Sequence, residues 1–362
     1  MKIDDELYGL TRDLLNSNVT TSTARISKIT PLTGDASGRR YLRVLLTDSK
    51  IASVILMLTT EIKGPVVCSE TPIDPNLAFI ELSPFLNSHG YRVPKIFAVS
   101  ADRHALLVED AGDLPLWHFT FNKLSTTENN DSKKSSPLFT FELYKKAVNA
   151  ILTLQKIPTT ADSIACKRSL EFDQYQIESR RFIEHYLKPN RYPPSMIASL
   201  EPLLDELCAG VAAHPRTLVH RDFMPWNIHL SQKNEIITID YQDMLVGSAA
   251  YDIVSLIHDR DADQALGDDL CTQIANYFFD NTTLLQDRRS YHEALIQRYL
   301  RLAGQFNLLS EKVQNPIYRS WIPGCLKRIG RSLPLVPHFA PLAEVLSAIP
   351  EIEKGLSSPW HF

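Results

Sequence analysis

Over the first hundred residues, short apolar runs alternate with turn residues. Asp5–Leu15 reads as a short helix. The runs "ISKITPL", "YLRVLLT" and "ASVILML" (residues 26–32, 41–47 and 52–58) are β-rich and bounded by turn formers, a pattern that predicts antiparallel strands. "AFIELSPFLNSHG" (78–90) has helical spacing and a glycine stop. "KIFAVSADRHALLVEDAG" (95–112) predicts two strands joined at Asp102 and Arg103. The chain up to Gly112 therefore reads as a small antiparallel sheet with a helix.

Beyond Gly112 the pattern is mostly helical. Leu124–Leu138 is polar and low in complexity, the signature of a surface insertion. Phe141–Leu154, Leu170–Leu187 and Ser195–Ala213 predict amphipathic helices, and Tyr251–Ile352 is again helical. Between them lie the strand-like runs "TLVH", "IHL" and "IITID" (217–220, 228–230 and 236–240). The class is α+β with two lobes: residues 1–112 as a sheet lobe and residues 113–362 as a helical lobe, joined near Glu109–Gly112. No repeat, heptad or charge block interrupts this order.

Composition narrows the class. The apolar fraction of 44% and charged fraction of 22% are those of a soluble globular chain. A net charge of -4 supplies no basic field for nucleic acid or an anionic membrane, so an anionic ligand must be met by local cations. The five cysteines (Cys68, Cys166, Cys208, Cys271 and Cys325) are scattered, with no metal-binding spacing, which fits free thiols in a reducing cytoplasm. The opening "MKIDDELYGL" does not read as a signal peptide.

The chemistry concentrates in "LVHRDFMPWNIHLSQKNEIITIDYQD" (218–243). "HRDFMPWN" follows the spacing H-R-D-x-x-x-x-N, and Asp240 closes the apolar run after it. In phosphoryl transfer the protein mainly positions the acceptor and neutralises charge. Asp222 can accept a hydrogen bond from an acceptor hydroxyl, while Asn227 and Asp240 offer hard oxygens suited to Mg²⁺. Turn formation and strand capping are the structural alternatives for the same residues. "PLTGDASGRRYLRV" (31–44) can lay backbone N–H groups on phosphates through Gly34, Asp35, Ala36 and Ser37, with Arg39 and Arg40 adding charge. An ordinary hairpin turn uses the same residues. Glu109, Asp110 and Ala111 lie where backbone could meet an adenine edge, or where a plain linker would run.

The pieces "GDASGRRYLRV", "RVPKIFA", "LLVEDAGD", "HRDFMPWN" and "IDYQDMLVGSAAYDIVSLIHD" resemble the aminoglycoside phosphotransferase/choline kinase family, over residues 33 to 333. Within it they are most similar to the bacterial N-acetylmuramate/N-acetylglucosamine anomeric kinases of cell-wall sugar recycling. The resemblance implies a protein-kinase-like two-lobed fold and a cytoplasmic monomer that uses ATP and Mg²⁺ on a small sugar, without nucleic-acid or membrane partners. It implies Asp222 as catalytic base and Asn227 and Asp240 as Mg²⁺ ligands. "YQD" in place of D-F-G, with no A-P-E, argues against protein substrates. Aminoglycoside, choline or homoserine kinases, and a nucleotide-binding regulatory module without turnover, are the alternatives.

One departure bears on the phosphates. The lysine that kinase-like folds place in the strand after the glycine loop, which the anomeric sugar kinases tend to lack, falls at or near Met57, which carries no charge. Arg39, Arg40 and the more distant Lys63 are the candidate replacements. Glu81 reads as solvated or locally paired. His220 is expected to hold the loop through a backbone bond, and Arg221 to pack or pair around it. Asp252 is expected either to steady that loop or to cap a helix. Asp243 is a candidate for a sugar hydroxyl, and Trp226 and Tyr241 suit either pocket wall or core.

Overall fold

Strand pairing sorts the side chains of the first lobe onto two faces. The computed structural model describes residues 5–32, 39–59, 75–121, 137–231 and 235–362. Strands β1 (Arg25–Pro31), β2 (Arg39–Thr47), β3 (Ser53–Thr59), β4 (Ile96–Val99) and β5 (Ala105–Glu109) form one antiparallel sheet, in the order β1-β2-β3-β5-β4. Leu42 pairs with Leu56, and Leu56 with Leu107; one residue along, Tyr41 pairs with Met57, and Met57 with Leu106. Successive side chains take opposite faces. Leu42, Leu56 and Leu107 pack under Leu14 and Leu15 of α1 (Asp5–Asn16). Met57 and Leu106 join α2 (Pro75–Ser88) and the core of the second lobe. The Glu81 carboxylate on α2 accepts the Ile164 N–H at 2.5 Å, so Glu81 is paired, and across the lobes.

The second lobe holds α3 (Leu116–Phe121), α4 (Pro137–Leu154), α5 (Phe172–Phe182, continued by a π-helical turn, Ile183–Leu187) and α6 (Pro194–Ala212). Four short strands follow: β6 (Arg216–Val219), β7 (Ile228–Leu230), β8 (Ile236–Thr238) and β9 (Leu245–Ser248). Then come α7 (Tyr251–His258), α8 (Ala262–Leu266), α9 (Asp268–Asn281), α10 (Arg289–Lys312), α11 (Ile317–Ser320), α12 (Ile322–Ser332), α13 (Ala340–Leu346) and α14 (Pro350–Leu356). Tyr291 to Leu300 of α10 are buried without a break, as in a helix enclosed on every side. β9 and α3 have no counterpart in the sequence reading. All four residues of β9 are buried, so no alternation marks it, and α3 is too short to show a helical period.

Asp240 is not at a strand end, as expected, but beyond it. β8 stops at Thr238, Ile239 N–H bonds the Asn227 carbonyl, and Asp240 turns away with a left-handed φ of 63°. Cys166, Cys208, Cys271 and Cys325 are free thiols. Among the described residues no helix is long and apolar enough to cross a membrane.

The chain passes between the lobes through Gly112, whose φ is +85°. The carbonyl of Gly112 accepts the ring N–H at His229 Nδ1 (2.9 Å), and that of Leu114 accepts the Leu230 N–H (3.0 Å), so the turn is tied to β7. A β-branched side chain is disfavoured in this conformation. Gly112→Val should lower the unfolding free energy by about 1–3 kcal/mol, read as an earlier urea midpoint at unchanged slope. An unmoved midpoint would mean that the turn is not constrained.

Candidate active site

The loop between β6 and β7 is held by its backbone. The N–H groups of His220 and Arg221 donate to the two carboxylate oxygens of Asp252, at 2.7 and 3.0 Å. Asp252 is buried, and burial pushes its carboxyl up from the usual range against the pull of His220 and these two bonds. The first turn of α7 has no side-chain cap, so Asp252 serves the loop and not the helix end. Arg221 is left-handed, with φ of 72°. Arg298 Nη1 donates to its carbonyl at 3.0 Å, and Glu178 takes its guanidinium at 3.0 Å. Such bracing is what keeps a strained residue in place. His220 Nε2–H donates to the Ile239 carbonyl at 3.0 Å, and burial depresses its pKa, so the ring is a neutral strut between loop and hairpin.

This bracing presents Asp222. Its side chain is 46% exposed, and Arg298 Nη2 lies 4.0 Å from its carboxylate. Burial acts to raise its pKa, but the positive charges of Arg298, Arg301 and Arg221 outweigh it and hold the carboxyl below the usual range. Asp222 is therefore ionised at neutral pH.

The β7–β8 register pairs Ile228 with Thr238, and the Ile239 N–H bond to Asn227 extends it. Asn227 is thus set next to Asp240. The Asn227 amide nitrogen donates to the Asp222 carbonyl at 2.9 Å, which leaves its oxygen to serve as a ligand. Asn227 and Asp240 line one interlobe cleft of about 630 Å³, whose sheet wall includes Tyr41, Arg43, Ile55, Met57 and Val108. No three His, Cys, Asp or Glu side chains gather for a metal among the described residues. Two hard oxygens nevertheless fit Mg²⁺, which keeps several waters and takes its other ligands from phosphates. Asp222 is not part of the cleft wall and stands beside it in the helical lobe.

The other candidates divide. Gly34, Asp35, Ala36 and Ser37, together with Lys63, lie outside the described residues. Glu109, Asp110 and Ala111 line the cleft. The Glu109 carboxylate takes the Arg92 guanidinium and the Lys95 N–H. That of Asp110 takes Arg43 at 2.6 Å, Ser53 at 2.7 Å and the Gly112 N–H at 2.9 Å. Arg43 also meets Asp113 at 2.6 Å. Arg39 is buried against Phe79, 4.9 Å from its ring centre, and is not a wall residue. Arg40 is misplaced for the role expected of it: it pairs with Leu58 on the opposite face of the sheet, near Leu10 and Asp102. Strand alternation alone sends it there. Asp243 does not line the cleft either, and its carboxylate accepts the Gln242 amide at 2.8 Å. Trp226 and Tyr241 do line it, each against a second ring: Trp117, stacked at 4.0 Å, and Phe79, edge-on at 4.9 Å. Arg260, Arg298 and Arg301 were not anticipated, because no spacing in the sequence ties them to the loop around Asp222.

Residues 28–293 match the phosphotransferase enzyme family (APH). The chain is 23% identical to the N-acetylmuramate/N-acetylglucosamine kinase of Pseudomonas aeruginosa, over 90% of this chain and 89% of that protein. It also resembles the streptomycin–ATP ternary complex of the aminoglycoside phosphotransferase APH(2")-IIa (TM-score 0.56, 14% identity, 85% of this chain and 91% of that one). The choline kinase LicA of Streptococcus pneumoniae is similar too (TM-score 0.56, 12% identity, 90% and 99%). The two-lobed, kinase-like architecture expected from the sequence is the fold this chain has.

Asp252→Asn would set an amide NH₂ against one of the two backbone N–H groups it now holds. The lost bond and stranded donor should cost about 1–3 kcal/mol of stability. The displaced loop should slow turnover by about 100-fold while nucleotide affinity holds. Calorimetry and single-turnover assays on the folded variant measure both, and normal turnover would free the loop from this carboxylate.

Proposed function

The chain belongs to the phosphotransferase enzyme family, and from that premise we propose that it moves the terminal phosphoryl group of ATP to the anomeric hydroxyl of N-acetylmuramate or N-acetylglucosamine. The similarity to kinases named for these two sugars carries this choice of acceptor. Three guanidinium groups, those of Arg298, Arg301 and Arg221, keep the Asp222 carboxylate ionised. They are themselves matched by Asp259 and Glu178.

In this reading residues 1–112 form the nucleotide lobe and residues 113–362 the catalytic and acceptor lobe. Glu109, Asp110 and Ala111 run along the adenine end of the cleft. Asn227 and Asp240 would hold Mg²⁺, which when bound neutralises phosphate charge. Asp222 orients the acceptor hydroxyl and receives its proton. A carboxylate kept below its usual range is a weak base, so the proton moves late, after the bond to phosphorus has begun to form. An anomeric hydroxyl suits such a base, because it is more acidic than an ordinary sugar alcohol.

ATP consumption screened over N-acetylmuramate, N-acetylglucosamine, choline and an aminoglycoside tests the acceptor, with phosphorus NMR to locate the product phosphate. Turnover with an acetylated amino sugar and phosphate on its anomeric carbon is the expected result. Turnover on choline or the aminoglycoside alone would overturn it. Asp222→Asn should lower kcat by about 10²–10⁴-fold with ATP affinity little changed. Loss of ATP binding in the folded variant would move Asp222 to the metal site. For Asp240→Ala, turnover should collapse at ordinary Mg²⁺ concentrations, and near-normal rates would remove Asp240 as a ligand.

A further inference from the structure

Among the described residues, the cleft's sheet wall has little free positive charge. Arg43 is matched by Asp110 and Asp113, Met57 is neutral and buried, and burial holds His229 in its neutral form. The other guanidinium among the wall residues comes from the opposite lobe: Arg260, between α7 and α8. Its ion pair is loose: Arg260 Nε lies 3.6 Å from Asp259, and 32% of the side chain is exposed. Its guanidinium also lies over the Trp321 ring, 5.3 Å from the ring centre. Asp259 is shared with Arg298, at 3.7 Å, and Arg298 in turn reaches Asp222 at 4.0 Å. Arg260 therefore stands at the Asp222 end of the cleft.

The backbone that aims it is strained. Arg260 has φ 44° and ψ 48°, and Asp261 follows with φ 68°, two successive non-glycine residues in the left-handed region. Such residues persist only where surrounding contacts over-determine them. Here Asp261 is held by Arg328 Nη2 at 2.8 Å and by the Gln264 amide at 3.1 Å, and Arg328 is anchored on buried Asp263 at 2.7 Å. Gly324 lets α12 come so close that an added Cβ would stand 2.6 Å from the Asp261 carboxylate.

We propose that Arg260 binds the terminal phosphates of the nucleotide, so that the helical lobe supplies the charge that Met57 withholds from the sheet. Its planar fork of N–H donors matches phosphate oxygens. Gly324 and Arg328 act as positioning residues for it. The assignment rests on the ATP-dependent reading above.

The test is equilibrium binding of Mg²⁺–ATP and of adenosine, which lacks phosphates, to wild type, Arg260→Gln, Arg260→Lys and Gly324→Ala. Arg260→Gln should weaken ATP by about 10- to 100-fold and leave adenosine unchanged. Arg260→Lys should restore part of the loss. Gly324→Ala, with Arg260 intact, should weaken ATP and not adenosine. Equal ATP affinity in wild type and Arg260→Gln would overturn the assignment alone. So would an equal loss for adenosine, or a raised KM for the acceptor at unchanged ATP affinity. Failure of the wild type to bind ATP would bring down the functional reading and this proposal together.

Discussion

Two hydrogen bonds from consecutive peptide groups to one buried carboxylate organise the loop between β6 and β7. By taking the N–H groups of His220 and Arg221, Asp252 makes the chain turn through a left-handed residue immediately before Asp222. The rest of the loop hangs from that turn. Asn227 reaches back to the Asp222 carbonyl, and His220 reaches across to Ile239. A buried carboxylate is a costly group, and it persists because both its oxygens are occupied. The bracing comes from α5, α7 and α10 at once, which makes the loop a rigid part of the helical lobe.

At the linker end of the cleft, Arg43 is balanced by Asp110 and Asp113. Beside the cleft, the guanidinium groups that act on Asp222 are themselves matched by Glu178 and Asp259. On the sheet side, Met57 brings no charge to the cleft, and Glu81 of α2 is engaged elsewhere, accepting a backbone N–H of the other lobe.

The local half of this organisation was legible from the order of residues. Strand and helix periods depend on neighbours in sequence, so the sheet, α2, α4, α5 and α6 were read nearly to their ends. The H-R-D-x-x-x-x-N spacing and the hairpin that returns Asp240 to Asn227 also lie within one short segment. The register of a hairpin follows from its own turn and pattern. Even the position of Met57 on the cleft face is a matter of counting along a strand.

What lay beyond reach depends on contacts between distant segments. Arg39 and Arg40 are neighbours in sequence and were read as equivalents, yet pleating sends Arg40 to the α1 face, while packing presses Arg39 against Phe79. Arg298 and Arg301 reach Asp222 only because α10 runs through the centre of the helical lobe. Arg260 enters the cleft only because α12 pins the turn beside it. Sequence by itself determined the α+β class and the close grouping of Asp222, Asn227 and Asp240, since both follow from short-range periodicity and spacing. The tertiary structure decided which cations stand against that site, because a charge acts through space and takes no account of its distance along the chain.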